Sequence, residues 1–156
     1  MSGKILIAFD ESQIAQKTIS FIAEHFTRDH DITIFHVVPD TAAVCGLNSP
    51  SLTPHFVAER DSFCRMEDRR KEIITDIVEE ARKSLQNAQF DAGRIEVKVQ
   101  TQRKGIASDI IQEAKNGYDI VVMGRRASSG IKEFLMGSTT QKVLHALEGT
   151  PLIIID

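Results

Sequence analysis

Five short apolar segments, each separated from the next by a stretch of helical spacing, leave this chain few ways to fold. Ile5-Leu6-Ile7-Ala8-Phe9 and Ile120-Val121-Val122-Met123 are continuous apolar runs, as expected of strands covered on both faces. Asp31–Val38 is mostly apolar through Ile32, Ile34, Phe35, Val37 and Val38, and Pro151–Ile155 closes the chain. Arg94–Gln100 differs, because Ile95, Val97 and Val99 alternate with Glu96, Lys98 and Gln100. One wet face suits a sheet edge.

The intervening stretches repeat at three and four residues. Ile14, Thr18, Ile19, Ile22, Ala23 and Phe26 form the first such row, and Ile74, Ile77, Val78, Ala81 and Leu85 the second. The third carries Ile106, Ile110, Ile111 and Ala114 and stops near Asn116-Gly117. The fourth follows Gly137-Ser138, with Ser138 as the expected N-cap, Val143, Leu144 and Leu147 facing inward, and an end at Gly149. Strict alternation of strand and helix demands a parallel sheet with right-handed crossovers, hence helices on both faces. With the fully apolar strands central and the alternating strand at an edge, the expected α/β fold is a doubly wound five-stranded parallel sheet of order 3-2-1-4-5. At 156 residues the chain reads as a single domain, 1–156. A long insert at about 39–61, punctuated by Gly46, Pro50 and Pro54, shows neither period. It reads equally as a functional lid and as a tolerated surface insertion.

Composition narrows the function classes. Hydrophobic residues at 42% and charged residues at 26% argue against disorder, and a net charge of −3 supplies no field for non-specific nucleic-acid binding. Arg69, Arg70 and Lys71 cluster, but Glu67, Asp68 and Glu72 interleave with them, so this run reads as a solvated helix face. No apolar run approaches the roughly 18 residues of a membrane span, and no leader pattern opens the chain, so no membrane partner and a cytoplasmic location are expected. Cys45 and Cys64 then read as free thiols of a reducing compartment; with His55 between them they match no standard zinc spacing.

In open parallel sheets ligands bind beyond the carboxyl ends of the strands, where the winding direction reverses. Here that place lies between the loop after strand 1, starting at Asp10, and the loop after strand 4, starting at Gly124. Neither a G-x-G-x-x-G nor a G-x-x-x-x-G-K-[ST] pattern occurs, which excludes ordinary dinucleotide and Walker-type sites. The Ser-Gly-Gly-x-Asp-Ser turn of ATP pyrophosphatase-type synthases and the His-x-Gly-His of nucleotidyl transferases are absent as well. Asp10 has three open readings: a metal ligand, a ribose contact, or a helix cap. The loop after strand 4 offers an anion site where Gly137-Ser138 opens a helix, with hydroxyls from Ser138, Thr139 and Thr140 and positive charge from Arg125, Arg126 and Lys132. A helix cap beside a solvated basic turn accounts for the same residues.

This segment resembles the universal stress protein signature G-x-x-G-x(9)-G-[ST], with Gly124, Gly137 and Ser138 at matching positions. Lys4–Ser12 resembles that family's first strand and its Asp-containing turn, Phe35-His36-Val37 the end of its second strand, and Thr150–Ile155 its last. The resemblance implies an adenine-nucleotide alpha-hydrolase-like fold of UspA type. It further implies a non-enzymatic regulator of stress response that binds ATP or AMP, with Mg or Mn when ATP is bound. Carried over residue by residue, Ala8, Phe9 and Asp10 would contact ribose and phosphates, Asp10 also holding the metal, and Val37 would pack near adenine. Met123, Gly124, Arg126, Ala127, Gly137, Ser138, Thr139 and Thr140 would hold the phosphates. His36 reads rather as a satisfied core histidine. The family pairs its last strand across a two-fold axis, which implies a homodimer through Leu152, Ile153, Ile154 and Ile155, with further protein partners unknown.

One position departs from the signature: its second glycine is Ala127. If that site needs positive φ, alanine costs about 1–2 kcal/mol, and its methyl group crowds an approaching phosphate. A dimerisation module that binds no nucleotide is therefore the second reading. An adenylating enzyme on the same fold is the third, against which the missing strand-1 turn counts. No Ser-His-Asp, Cys-His or paired-carboxylate arrangement is evident at the switch point. Slow ATP hydrolysis with Asp10 holding a metal stays open.

Overall fold

In the computed structural model, which describes residues 2–10, 13–125 and 136–156, the alternation produces the sheet it demands. Strands β1 (Lys4–Ala8), β2 (Asp31–Val38), β3 (Ile95–Thr101), β4 (Ile120–Gly124) and β5 (Leu152–Ile155) stand in the order β3-β2-β1-β4-β5. All four pairings are parallel. β1 lies between β2 and β4, with Ile7 opposite both Ile34 and Val122, so its winding reverses there.

The two cores follow from the pleat, which sends alternate residues of each strand to opposite faces. On one face Ile5, Ile7, Ile32, Ile34 and Val122 pack against Ala15, Ile19 and Ile22 of α1 (Gln13–His25) and against α3 (Pro54–Asn87). On the other, Leu6, Phe35, Val37, Val121 and Met123 pack against Ala107, Ile110 and Ala114 of α4 (Ile106–Ala114) and Val143 of α5 (Ser138–Ala146). α4 is further fastened to β3 by Glu113, whose carboxylate accepts from Lys98 Nζ at 2.9 Å, Tyr118 Oη at 2.7 Å and Asn116 Nδ2 at 3.1 Å.

The edge position of β3 matches expectation, but its apolar row is not dry: Ile95 is buried while Val97 and Val99 stay exposed. On the last helix, Gly137 is the N-cap and Ser138 the first helical residue, and the helix ends at Ala146 rather than Gly149. Leu144, expected inside, is exposed, because in nine residues the inward row is taken by Thr140 and Val143.

The insert holds the largest correction. Ala42–Cys45 forms a short helix, α2, and α3 starts at Pro54, so the segment 39–61 is partly helical. Thr53 caps α3, accepting a hydrogen bond from the Phe56 amide at 3.2 Å, with Pro54 at the first helical position. The pair Thr53-Pro54, read as loop punctuation, is a helix start. Its helix shows no apolar period at first because nothing in α3 is buried before Ile74. Cys45 and Cys64, expected as free thiols, are joined in a disulfide, since α2 lies against α3 and brings their Cα atoms to 5.9 Å.

Candidate functional site

A cleft opens at the carboxyl ends of β1, β2 and β4, where the winding of the sheet reverses. It is partly enclosed and lined by both apolar and polar side chains, as small-molecule sites are. Ala8, Phe9 and Asp10 line it from β1 and the turn that follows, and Phe35 to Pro39, with His36 and Val37 among them, from the end of β2. Met123 and Gly124 come from β4, Thr139 and Thr140 from the first turn of α5.

Backbone hydrogen bonds hold these ends in register. The Phe9 amide donates to the Phe35 carbonyl at 2.8 Å, and the Phe9 carbonyl lies 2.8 Å from His36 Nδ1. His36 is thus a half-buried tie between two strand ends, satisfied as expected but on the cleft wall rather than in the core. The Phe9 side chain belongs to the core, so this residue offers the cleft mainly its backbone. Thr140 is buried and donates its hydroxyl to the Gly124 carbonyl at 2.8 Å, fixing α5 to the end of β4. The Gly137 amide donates to the Arg125 carbonyl at 2.8 Å.

Gly137 has no side chain with which to cap α5, and the N–H groups of a helix's first turn, with the positive end of its dipole, favour an anionic acceptor. Gly137 and Ser138 stand at this helix start rather than on the cleft wall, while Thr139 and Thr140 face the cleft. Arg126 and Ala127 lie outside the described residues. Among the described residues no three His, Cys, Asp or Glu side chains gather to hold a metal ion. Asp10 is a hard oxygen donor at the cleft, and such a donor suits Mg or Mn when phosphate oxygens complete the shell.

Sequence reasoning missed the third wall. Glu67, Arg70, Lys71 and Ile74 of α3 line the cleft, together with Ile106 and Ile110 of α4. Arg70 and Lys71 had been read as part of a solvated helix face. The signal was present: the buried row Ile74, Val78, Ala81, Leu85, carried back three, four and seven residues, lands on Lys71, Arg70 and Glu67. Arg70 Nη1 stands 3.9 Å from Glu67 Oε1, so the wall presents charges of both signs.

Residues 1–154 match the model of the universal stress protein family. The chain is 28% identical to universal stress protein Sll1388 of Synechocystis over 97% of each chain, and 28% identical to universal stress protein YxiE of Bacillus subtilis over 99% of each. Among solved structures, the fold is similar to that of hypothetical protein MJ0577, with a TM-score of 0.73 at 19% identity, over 98% of this chain and 94% of that one. It is also similar to universal stress protein UspA from Lactobacillus plantarum, with a TM-score of 0.63 at 20% identity, covering 99% and 97%. This protein belongs to the universal stress protein family.

Proposed function

We propose that this protein is a regulator that binds an adenine nucleotide, ATP or AMP, in the switch-point cleft and acts as a homodimer in stress response. The observation that carries the reading is the meeting of Asp10, Val37, Gly124, Thr139 and Thr140 on one cleft surface at the uncapped start of α5. An apolar floor of Val37, Met123 and Ile110 suits a base, and the Thr139 hydroxyl at the N-terminal turn of α5 suits a phosphate. When ATP is bound, Asp10 and the phosphate oxygens would share Mg or Mn. The role is regulatory rather than catalytic: the nucleotide biases the conformation that partners meet.

Titration calorimetry with ATP and Mg tests this. Binding should weaken roughly tenfold or more, at least 1.4 kcal/mol, in Asp10→Ala and in Gly137→Val, whose branched side chain covers the first-turn amides. No heat up to millimolar ATP would sink the nucleotide reading and favour the dimerisation module, to which the Ala127 departure points. An Ala127→Gly variant that gains affinity would identify the methyl group as the obstacle.

Leu152, Ile153, Ile154 and Ile155 are half-buried and β5 is an edge strand, which supports pairing with a second copy. Ile153 and Ile155 pack on the α1 face and Leu152 on the other, so Ile154→Asp disturbs the edge with least damage to the core. It should convert the sedimentation profile from dimer to monomer; an unchanged profile argues against this interface. Cytoplasmic residence is part of the same proposal; no described helix is long and apolar enough to cross a membrane.

A further inference from the structure

We propose that the Cys45–Cys64 bond is a thiol-sensitive clasp that sets the affinity of the switch-point cleft; the inference rests on the nucleotide reading above. Four observations meet here. The bond joins the insert to α3 across 19 residues, and both cysteines are partly exposed, within reach of a reductant. α2 is four residues long and buries none of them, too little to hold a helix or its flanking chain in place unaided. Arg60 Nη1, which donates to the Leu47 carbonyl, is a second tie between α3 and the insert. The groove that contains Cys45 and Cys64 shares Pro39 and Lys71 with the nucleotide cleft.

The geometry links bond to cleft at both ends. Pro39 lines the cleft and leads directly into the strap that ends at Cys45. Cys64 lies one turn before Glu67 and two turns before Lys71, on the part of α3 that has no buried residue beneath it. With the bond closed, strap and helix form one wall. With it open, the strap regains the conformational freedom of its loop and Pro39 is no longer held against the cleft.

The switching step is a thiol–disulfide exchange with a dithiol reductant. The Cys45–Cys64 S–S bond takes up two electrons and two protons to give two thiols, while the two thiols of the reductant become a disulfide. If reduction leaves the ordered wall populated at roughly 10–30%, apparent nucleotide affinity falls about 3–10-fold.

The test is calorimetric titration of the full chain with ATP and Mg, oxidised and after dithiothreitol, in wild type, Cys45→Ser and Cys64→Ser. Amide exchange over residues 39–53 is followed in the same samples. Tight binding in the oxidised protein, weaker binding with faster exchange on reduction, and serine variants that match the reduced form without responding to reductant support the clasp. Equal affinity in both redox states overturns it while the nucleotide reading stands. No binding in either state removes the nucleotide reading, and this inference with it. Iodoacetamide labelling of both cysteines in unreduced, denatured protein overturns the clasp on its own.

Discussion

Helices α3 and α5 wall the cleft from the two faces of the sheet, and their first turns are built in opposite ways. α3 closes its own start with the Thr53 side chain and Pro54, then runs 34 residues, about 51 Å, with its buried row confined to the second half. α5 is nine residues long, has a glycine where a cap would be, and faces the cleft with its first turn, through Thr139 and Thr140. A start that satisfies its own amides serves architecture and reach. A start left open beside a cleft is chemistry waiting for an acceptor. The two patterns predict which mutations cost stability alone and which also cost binding.

The largest effect should come from the hold of α3 on the sheet. Ile74 is 2% exposed at the point where α3 meets the cleft, and Ile74→Ala should cost about 2–5 kcal/mol in urea unfolding. A much smaller loss would mean that α3 is held by its other buried residues and that this wall is less firmly seated than its partner. Next comes Thr140→Val, which removes the hydroxyl bonded to the Gly124 carbonyl in a buried setting. It should cost about 1–3 kcal/mol and also weaken ATP binding, with both restored in Thr140→Ser.

Thr53→Ala is the matched change at the closed start. It should lower stability by about 1 kcal/mol and leave ATP affinity as it was. Equal losses of affinity from Thr53→Ala and Thr140→Val would break the comparison.

The smallest effect lies away from both walls, at Glu113, and serves as a control. Burial pushes its carboxyl upward, but hydrogen bonds from Lys98, Tyr118 and Asn116 outweigh this and hold it below its ordinary 4.5. The hydrogen bond to Glu113 in turn raises Lys98 above its ordinary 10.5. The Glu113 contribution is present above pH 4.5 and is lost as pH falls through its lowered folded value; the Lys98 contribution is present below pH 10.5 and is lost as pH rises through its raised one. Melting curves of Glu113→Gln should therefore differ from wild type between these limits and converge outside them. The difference at neutral pH should be no more than about 1 kcal/mol because Lys98 is partly solvated, and ATP affinity should not change.

Much of this was legible residue by residue, and the failures have identifiable causes. Ile5–Ile7 and Ile120–Val122 announce central strands because both faces of each are covered, and Ile110 and Ala114 announce α4 because one face packs on the sheet, although Ile106, read into the same row, is exposed. The first 20 residues of α3 announce nothing, since a helix that overhangs solvent has no buried row to impose a period on its sequence. Thr53-Pro54 is equally good as a turn and as a cap, and only the chain that follows decides. Val99 alternates with polar neighbours like a half-buried strand residue, yet nothing covers it enough to bury it.

By itself the sequence determined the strand order and the end of the sheet where a ligand would sit. Both depend on local period and on the handedness of short connections, which neighbouring residues encode. The buried row of α3, carried back, puts Arg70 and Lys71 on its inward face, but only the tertiary structure decided that this face reaches the cleft and that Cys45 meets Cys64 beside it. Those outcomes depend on how far a rigid helix projects past the sheet and on where a loop returns to it, distances that no stretch of neighbouring residues contains.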